Sequence, residues 1–264
     1  MLKLHQVSKT FNPGTINEKK ALKSIDLHLK PGDFVTVIGG NGAGKSTMLN
    51  AVAGVWPVDE GSVVIDGTDV TGMPEHVRAQ FIGRVFQDPM TGTAPNMQIE
   101  ENLALASRRG RRRGLRWGVT NAEREEYHEK LKILGLGLED RLTAKVGLLS
   151  GGQRQALTLL MATLRRPKLL LLDEHTAALD PATAKKVLEI TDMLIEQNQL
   201  TTLMITHNMK DAIRHGNRLI MMNEGRIIFD VSGEEKSKLT KADLMDKFAE
   251  IAGAGLESDE ILLS

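Results

Sequence analysis

The chain carries a glycine-rich segment, and residues 34–46 read FVTVIGGNGAGKS. The first five residues are mostly apolar and β-branched, which predicts a buried strand. The residues that follow, 39–44, include four glycines and predict a turn, and a helical pattern then runs from Lys45 to Val55. A strand, a glycine loop and a helix in this order are typical of an anion-binding site in an α/β fold.

Residues 39–46 match the pattern G-x-x-x-x-G-K-[ST], which is typical of phosphate-binding loops. Glycines allow successive backbone N–H groups to turn toward an anion, and the following helix presents its positive end. Lys45 is expected to reach the β- and γ-phosphates of a nucleotide, and Ser46 to bind Mg²⁺ through its hydroxyl. The alternative is an ordinary glycine-rich turn.

A second segment, which ends in two acidic residues, supports a nucleotide site. Residues 169–173 read LLLLD and predict a buried strand that delivers Asp173 at its carboxyl end, where open α/β sheets bind ligands. Asp173 is expected to bind Mg²⁺, and the adjacent Glu174 to polarise a water for attack on the γ-phosphate. The alternative is that both carboxylates cap the next helix, which opens near Asp180.

Composition excludes several other classes of protein. The chain of 264 residues has no cysteine, which excludes a disulfide framework, a thiolate metal site and a cysteine nucleophile. Acidic and basic residues are equal at 34 each and aromatic residues make up 3%, so a nucleic-acid partner is not expected. No apolar run reaches the length of a membrane span and no signal peptide is recognised, which favours the cytosol.

Short apolar segments alternate with helical patterns along the chain, which predicts an α/β fold with a mainly parallel sheet. A helical lobe is predicted from residue 88 to about residue 166, and a last helix opens with Thr240 and Asp243 and stops at Gly253. The predicted strands cover residues 21–29, 34–38, 62–66, 81–86, 169–172, 202–205, 218–222 and 226–229.

A third motif, LSGGQ at residues 149–153, lies between the glycine loop and the acidic segment. Alone, Ser150 and Gln153 form a capping box for a helix. With the other motifs in this order, the chain resembles the ATP-binding-cassette (ABC) family over residues 2–229. The resemblance implies a P-loop NTPase core, an N-terminal antiparallel β-subdomain and an α-helical subdomain. It implies an ATPase domain at 1–235, with the helical subdomain at about 88–166, and a C-terminal helix and tail at 236–264.

The resemblance also implies roles for individual residues. Gln87 matches the glutamine that contacts Mg²⁺ and the attacking water, His207 matches the switch histidine at the γ-phosphate, and Asp180 matches a loop at the dimer interface. Phe11 lies where the family stacks a ring on adenine, with packing in the core as the alternative.

Three groups of site residues follow from the motifs and the resemblance. The predicted catalytic residues are Lys45, Gln87, Glu174 and His207. The predicted magnesium ligands are Ser46, Gln87 and Asp173. The predicted nucleotide contacts are Phe11, Gly39, Asn41, Gly42, Ala43, Gly44, Lys45, Ser46, Thr47, Ser150, Gly151, Gly152, Gln153 and Asp180. The sequence departs from the family's usual pattern at His175, where many members have proline, and at Gly40.

In this family the segment that corresponds to LSGGQ, called the signature segment, closes in one subunit over ATP held by another. The resemblance therefore implies a homodimer in the ATP-bound state, with ATP and Mg²⁺ as cofactors. It also implies separate transmembrane permease subunits, an extracytoplasmic solute-binding protein, and a peripheral position on the cytoplasmic side of the membrane. Uptake of a small solute such as an amino acid is expected. An exporter or lipoprotein-release cassette, and a soluble ABC ATPase outside transport, are the alternatives.

Residues 108–116 contain six arginines and no acid. One interpretation is a contact with anionic lipid headgroups or an acidic permease surface, with Trp117 at the interface. The other is a solvated loop that pairs with the acidic residues after it, among them Glu123.

Overall fold

The computed structural model describes residues 1–110 and 118–252. These residues form two compact units, one comprising residues 1–81 and the described residues from 200 onward, the other residues 82–199. In chain order the strands are β1 (Leu2–Phe11), β2 (Lys19–Leu29), β3 (Phe34–Ile38), β4 (Glu60–Ile65), β5 (Thr68–Asp69), β6 (Ile82–Val85), β7 (Leu169–Asp173), β8 (Thr201–Ile205), β9 (Arg218–Asn223) and β10 (Arg226–Ser232). The helices are α1 (Lys45–Ala53), α2 (Glu75–Arg78), α3 (Ile99–Ser107), α4 (Asn121–Lys132), α5 (Gly151–Thr163), α6 (Pro181–Asn198), α7 (Met209–Arg214), α8 (Gly233–Ser237) and α9 (Lys241–Ala252).

The first unit contains an antiparallel sheet with the strand order β2-β1-β4-β5. In β1, Leu2 pairs with Leu29 of β2 on one side and with Ile65 of β4 on the other, and all three are fully buried. Burial of this apolar row on both flanks of β1 stabilises the sheet. The N-terminal antiparallel β-subdomain implied by the resemblance is therefore confirmed, although β1 itself was not predicted as a strand.

The first unit also contains the strand that leads into the glycine loop. β3 lies between β8 and β9, parallel to both, and all five of its residues are buried, as expected for a strand with neighbours on each side. β9 continues into the antiparallel β10 through Glu224 and Gly225, which both have positive φ angles, as a two-residue hairpin turn requires. The predicted strand at 34–38 and the predicted hairpin are both confirmed.

The second unit combines the parallel pair β6 and β7 with the helices α3 to α6. Three of these helices, α3, α4 and α5, fall within the helical stretch predicted from the periodicity. Gly83 of β6 lies against α5 so closely that a Cβ atom there would be 2.6 Å from the carbonyl oxygen of Ala162. Only glycine therefore allows this approach between strand and helix. Parallel strand pairs in both units confirm the α/β fold class.

The last helix, α9, begins as predicted. Asp243 N–H donates to Thr240 Oγ1 at 3.2 Å and Thr240 N–H donates to Asp243 Oδ2 at 2.8 Å, which is the reciprocal pattern of a capping box. Leu244 and Phe248 are buried in an apolar cluster with residues of α7 and β9. The predicted stop at Gly253 and the tail after it lie outside the described residues.

Across residues 1–110 and 118–252, none of the helices combines the length and the apolar character needed to cross a membrane.

Candidate functional site

The glycine loop leaves the carboxyl end of β3 and enters α1 directly. Gly39, Gly42 and Gly44 all have positive φ angles, a conformation that residues with side chains rarely adopt. A Cβ atom at Gly39 would lie 2.2 Å from the carbonyl oxygen of Met222, and one at Gly44 would lie 2.6 Å from that of Ala21. The loop is therefore shaped by backbone that passes too close for any side chain, which explains why glycine occupies these positions.

Lys45 is the first residue of α1 and is only 7% exposed. Its Nζ donates to the carbonyl oxygens of Gly39 at 2.7 Å and Gly40 at 3.1 Å, so the ammonium group folds back over the loop. The N-terminus of a helix and a lysine ammonium group both attract and hydrogen-bond phosphate oxygens, so together they suit this loop to bind a phosphate chain. Asn41, Gly42 and Ser46 are exposed on this loop, whereas Ala43 is buried and Thr47 is half-buried.

His207 follows β8 at the same edge of the first unit. Val37 of β3 pairs with Ile205 of β8, and Thr206 N–H donates to the carbonyl oxygen of Val37 at 3.1 Å. Because the strands are parallel, His207 leaves β8 beside the point where the glycine loop leaves β3. The imidazole is exposed and acts electrostatically on Asp211, whose pKa is raised by burial despite nearby histidines.

Phe11 ends β1 opposite Lys19 of β2. The Lys19 Nζ lies 3.1 Å from the Cβ position of Gly42, which places Phe11 on the strand pair that borders the glycine loop. The Phe11 ring is half-buried and packs edge-on against Trp56, with the ring centroids 5.4 Å apart and an angle of 85°. Contact with a second aromatic ring holds Phe11 in place and suits it to stack against a planar base.

In the second unit, β7 ends at Asp173 after four fully buried leucines. Glu174 follows with φ at 44°, and its carbonyl oxygen accepts the N–H of Ala177 at 2.9 Å. This left-handed residue turns the chain sharply as soon as the strand has delivered the two carboxylates. Neither carboxylate caps α6, because that position is taken by Asp180.

Gln87 lies at the same edge of the second unit. β6 is parallel to β7, with Val85 opposite Leu172, so the residues after Val85 run alongside Asp173 and Glu174. Gln87 is exposed two residues beyond the strand. Gln87 and the two acidic candidates thus follow the same ends of the paired strands β6 and β7.

His175 is a structural residue. Its side chain is buried, and its Nε2 lies 3.0 Å from Thr191 Oγ1 on α6. The Thr191 hydroxyl already donates to the carbonyl oxygen of Val187 at 2.8 Å, so the imidazole is the donor toward this hydroxyl. The histidine at this position, where many family members have proline, therefore connects the loop after β7 to α6 through a hydrogen bond.

The LSGGQ segment opens α5. Ser150 Oγ accepts the N–H of Gln153 at 3.2 Å, and Gln153 Oε1 accepts the N–H of Ser150 at 3.2 Å, so the predicted capping box is present. Ser150 and Gly151 are exposed. The positive end of α5 therefore lies at the surface of the unit.

Gly152 is packed tightly against the start of α6. A Cβ atom on Gly152 would lie 2.1 Å from Thr183 Cγ2, while one on Gly151 would meet only Leu179 Cδ2 at 3.3 Å. Asp180 Oδ1 accepts the N–H of Thr183 at 3.1 Å, and hydrogen bonds from the side chain and N–H of Thr183 lower the pKa of Asp180. The signature segment and Asp180 therefore share one neighbour, Thr183.

A Gly152→Ala substitution should lower the free energy of unfolding by about 1–3 kcal/mol, because the new methyl group overlaps the Thr183 methyl group. Adding Thr183→Ser removes Cγ2, and the next Thr183 atom is 3.6 Å from the new Cβ, so the double variant should recover most of the loss. Gly151→Ala is the matched control with little expected change. Denaturant unfolding measures all four proteins, and equal destabilisation with and without Thr183→Ser would contradict this account.

The arginine cluster is described only in part. Arg108 Nη2 donates to Glu123 Oε1 at 2.9 Å, which agrees with the interpretation of pairing with acidic residues. Arg109 donates to the carbonyl oxygen of Ala162 at 3.1 Å, and its burial lowers the pKa of its guanidinium group. Residues 111–117, including Trp117, lie outside the described residues.

Two charged residues near these segments were not among the sequence candidates. Lys19 reaches the glycine loop, and nothing in its local sequence marks it. Arg84 lies 3.8 Å from Asp173. It could have been found, because it is the one charged residue of the otherwise apolar strand β6.

Comparisons with known proteins agree with these motifs. The ABC transporter family profile matches residues 22–177. A tyrosine transport ATP-binding protein of Clostridioides difficile is 42% identical over 249 residues, which cover 94% of this chain and 98% of the relative. A phosphonates import ATP-binding protein of Shouchella clausii is 30% identical and covers 99% of this chain and 95% of its own length.

Solved structures lead to the same family. A dimeric ATP-binding cassette in a post-hydrolysis state, bound to ADP and Pi, has a TM-score of 0.74 at 32% identity, over 88% of this chain and 98% of that one. The ADP conformation of another cassette of an ABC transporter has a TM-score of 0.75 at 27% identity, over 94% of this chain and 98% of that one. The chain belongs to the ABC transporter family, and within it the chain is an ATP-binding, ATP-hydrolysing cassette.

Proposed function

We propose that the chain is the ATPase subunit of an importer that takes up an amino acid through separate membrane subunits, with tyrosine as the first solute to test. The glycine loop, whose backbone and Lys45 are arranged for a phosphate chain, is the observation that carries the nucleotide-binding part. The tyrosine transport relative, similar over nearly the whole of both chains, supports the transport part.

The proposed nucleotide contacts run from base to phosphate. Phe11 stacks on adenine, and the loop from Gly39 to Thr47 binds the phosphates through backbone N–H groups and the Lys45 ammonium. Lys45 leaves the carbonyl oxygens of Gly39 and Gly40 when a phosphate takes their place.

Mg²⁺ fits the proposed ligand set. Ser46 supplies a hydroxyl, Gln87 an amide oxygen and Asp173 a carboxylate, which are the hard oxygen donors that Mg²⁺ prefers beside phosphate oxygens and water. When bound, Mg²⁺ would neutralise charge on the β- and γ-phosphates.

Hydrolysis is proposed to depend on three side chains. Glu174 accepts a hydrogen bond from water, which makes the oxygen a better nucleophile toward the γ-phosphorus atom. Gln87 orients that water, and His207 donates a hydrogen bond to a γ-phosphate oxygen as charge moves to the leaving ADP.

A second copy of the chain would complete the site. We propose that Ser150, Gly151, Gly152 and Gln153 of one protomer face the γ-phosphate bound by its partner, so that the positive end of α5 adds to the binding of that anion. Asp180 lies next to this segment through Thr183 and would line the same dimer interface. Two nucleotides held in this way make closure depend on ATP, and hydrolysis allows the dimer to open.

The proposed organisation places the ATPase domain at 1–235, with the helical part at about 88–166 as the surface that contacts the permease. Residues 236–264 would form a C-terminal helix and tail. The cassette would work at the cytoplasmic side of the membrane and would depend on an extracytoplasmic binding protein for solute. An exporter or lipoprotein-release cassette and a soluble ABC ATPase are the competing proposals.

The proposal is tested by uptake of labelled tyrosine in cells that lack this chain. Wild-type protein should restore uptake, whereas Glu174→Gln at equal abundance should not. Unlabelled amino acids and phosphonates are added as competitors to define the solute. Cells that accumulate more label without the chain would identify an exporter, and cells with unchanged transport of every solute would favour a soluble ATPase.

A further inference from the structure

Arg84 occupies an unusual place in the second unit. It lies in the four-residue strand β6, whose other residues are Ile82, Gly83 and Val85. In the parallel register it pairs with Leu171 of β7, two residues before the acidic end of that strand. Residues two apart lie on the same face of a strand, so Arg84 and Asp173 lie on corresponding faces of β6 and β7.

The two side chains form an ion pair. Arg84 Nη2 lies 3.8 Å from Asp173 Oδ2, and the side chains are only 13% and 16% exposed. Exposed ion pairs are weakened by water and salt, but a pair this sheltered is screened much less. The attraction between the Arg84 guanidinium group and the Asp173 carboxylate is therefore only partly screened by solvent.

A second contact holds the guanidinium group in place. It stacks over the Phe86 ring, with the Arg84 Cζ 4.5 Å from the ring centroid. The backbone of Phe86 is fixed in turn, because its carbonyl oxygen accepts a hydrogen bond from the buried Gln155 at 3.0 Å. Arg84 thus connects Asp173 to the segment that leads into Gln87.

We propose that Arg84 is a positioning residue that acts as the internal counter-ion of Asp173 and sets the magnesium concentration at which the cassette engages ATP. The proposal rests on the proposed function, in which Asp173 is a magnesium ligand. A fixed positive charge beside a carboxylate weakens the attraction of that carboxylate for a divalent cation. The ion pair with Arg84 also orders the Asp173 carboxylate before the metal binds. The carboxylate is then fixed in position, but it binds the metal more weakly.

The test is an Arg84→Met variant, which keeps an unbranched side chain and removes the guanidinium group with its charge. Half-saturating Mg²⁺ for binding of a non-hydrolysable ATP analogue should fall about three- to tenfold, since one repulsive charge near the metal is lost. Mn²⁺ binding, followed by electron paramagnetic resonance with ADP present, should tighten in the same direction. Arg84→Lys keeps the charge but loses the planar group that stacks on Phe86, so its magnesium requirement should fall by less than that of Arg84→Met.

Two further variants complete the design. Arg141→Met removes an exposed arginine of the same unit and controls for the change in net charge. Arg84→Gln repeats the test with a polar side chain if the methionine variant does not fold. A higher or unchanged magnesium requirement in the folded neutral variants would overturn the counter-ion role. A wild-type chain without magnesium-dependent nucleotide binding would instead overturn the proposed function, and this inference with it.

Discussion

The Glu174→Gln variant should hydrolyse ATP at least about a hundredfold more slowly than wild type, while its affinity for ATP, at protein concentrations that keep it monomeric, stays within about twofold. An amide has the shape of the carboxylate but is a far weaker base. The attacking water therefore loses the group that accepts its proton. The left-handed backbone at Glu174 is equally open to glutamine, so the turn after β7 should persist. Phosphate release measures the rate, and equilibrium binding measures the affinity.

The same variant should change the oligomeric state. If hydrolysis opens the dimer, Glu174→Gln with ATP and Mg²⁺ should accumulate as a dimer in size-exclusion chromatography with light scattering, and should be monomeric with ADP. Glu189→Gln is the matched control, because Glu189 is an exposed carboxylate on α6 of the same unit. Wild-type rates of phosphate release in Glu174→Gln would remove Glu174 from the mechanism.

The elements around the glycine loop were predictable because local rules determine them. The strand at 34–38 is buried throughout and has the predicted bounds. The helix after it ends at Ala53 instead of Val55, because Gly54 adopts a left-handed conformation and its N–H caps carbonyl groups of the last turn. A difference of two residues is the usual error where a glycine competes with an apolar run.

β1 was missed for an identifiable reason. Gln6 has a φ angle of 48°, and the register of β1 against β2 shifts between Leu4 and Val7. This bulge places two exposed residues in succession and breaks the alternation on which strand prediction depends. The irregularity becomes interpretable only when the partner strands on both sides are known.

The residues of the candidate site also fall into two groups, those that local sequence predicts and those that only the tertiary structure reveals. Residue types and spacing predicted Lys45, Asp173 and Glu174 as site residues, since the chemistry of phosphate and magnesium restricts which residue types can bind them. The contacts of Arg84 with Asp173 and of Gly152 with Thr183 join residues far apart in the chain. No local pattern encodes such pairs, so they required the tertiary structure.

The second large effect is expected for Lys45→Ala, which should weaken ATP binding at least about tenfold. The substitution removes a charge-assisted hydrogen bond to the phosphates, worth roughly 1.5–3 kcal/mol in proteins. The loss should be much smaller for AMP, because Lys45 is expected to contact the β- and γ-phosphates that AMP lacks. Isothermal titration with ATP and AMP separates a phosphate contact from general damage to the site.

Damage to the loop is the main competing explanation for a weaker Lys45→Ala variant. Lys45 is nearly buried and its Nζ bonds the carbonyl oxygens of Gly39 and Gly40, so its removal also takes a partner from the loop. Thermal unfolding without ligand measures that cost, and unchanged AMP affinity would show that the base site is intact. Lys3→Ala, an exposed lysine on β1, controls for net charge. Full ATP affinity in Lys45→Ala would mean that the phosphates do not lie against this loop, and the nucleotide site would have to be sought elsewhere.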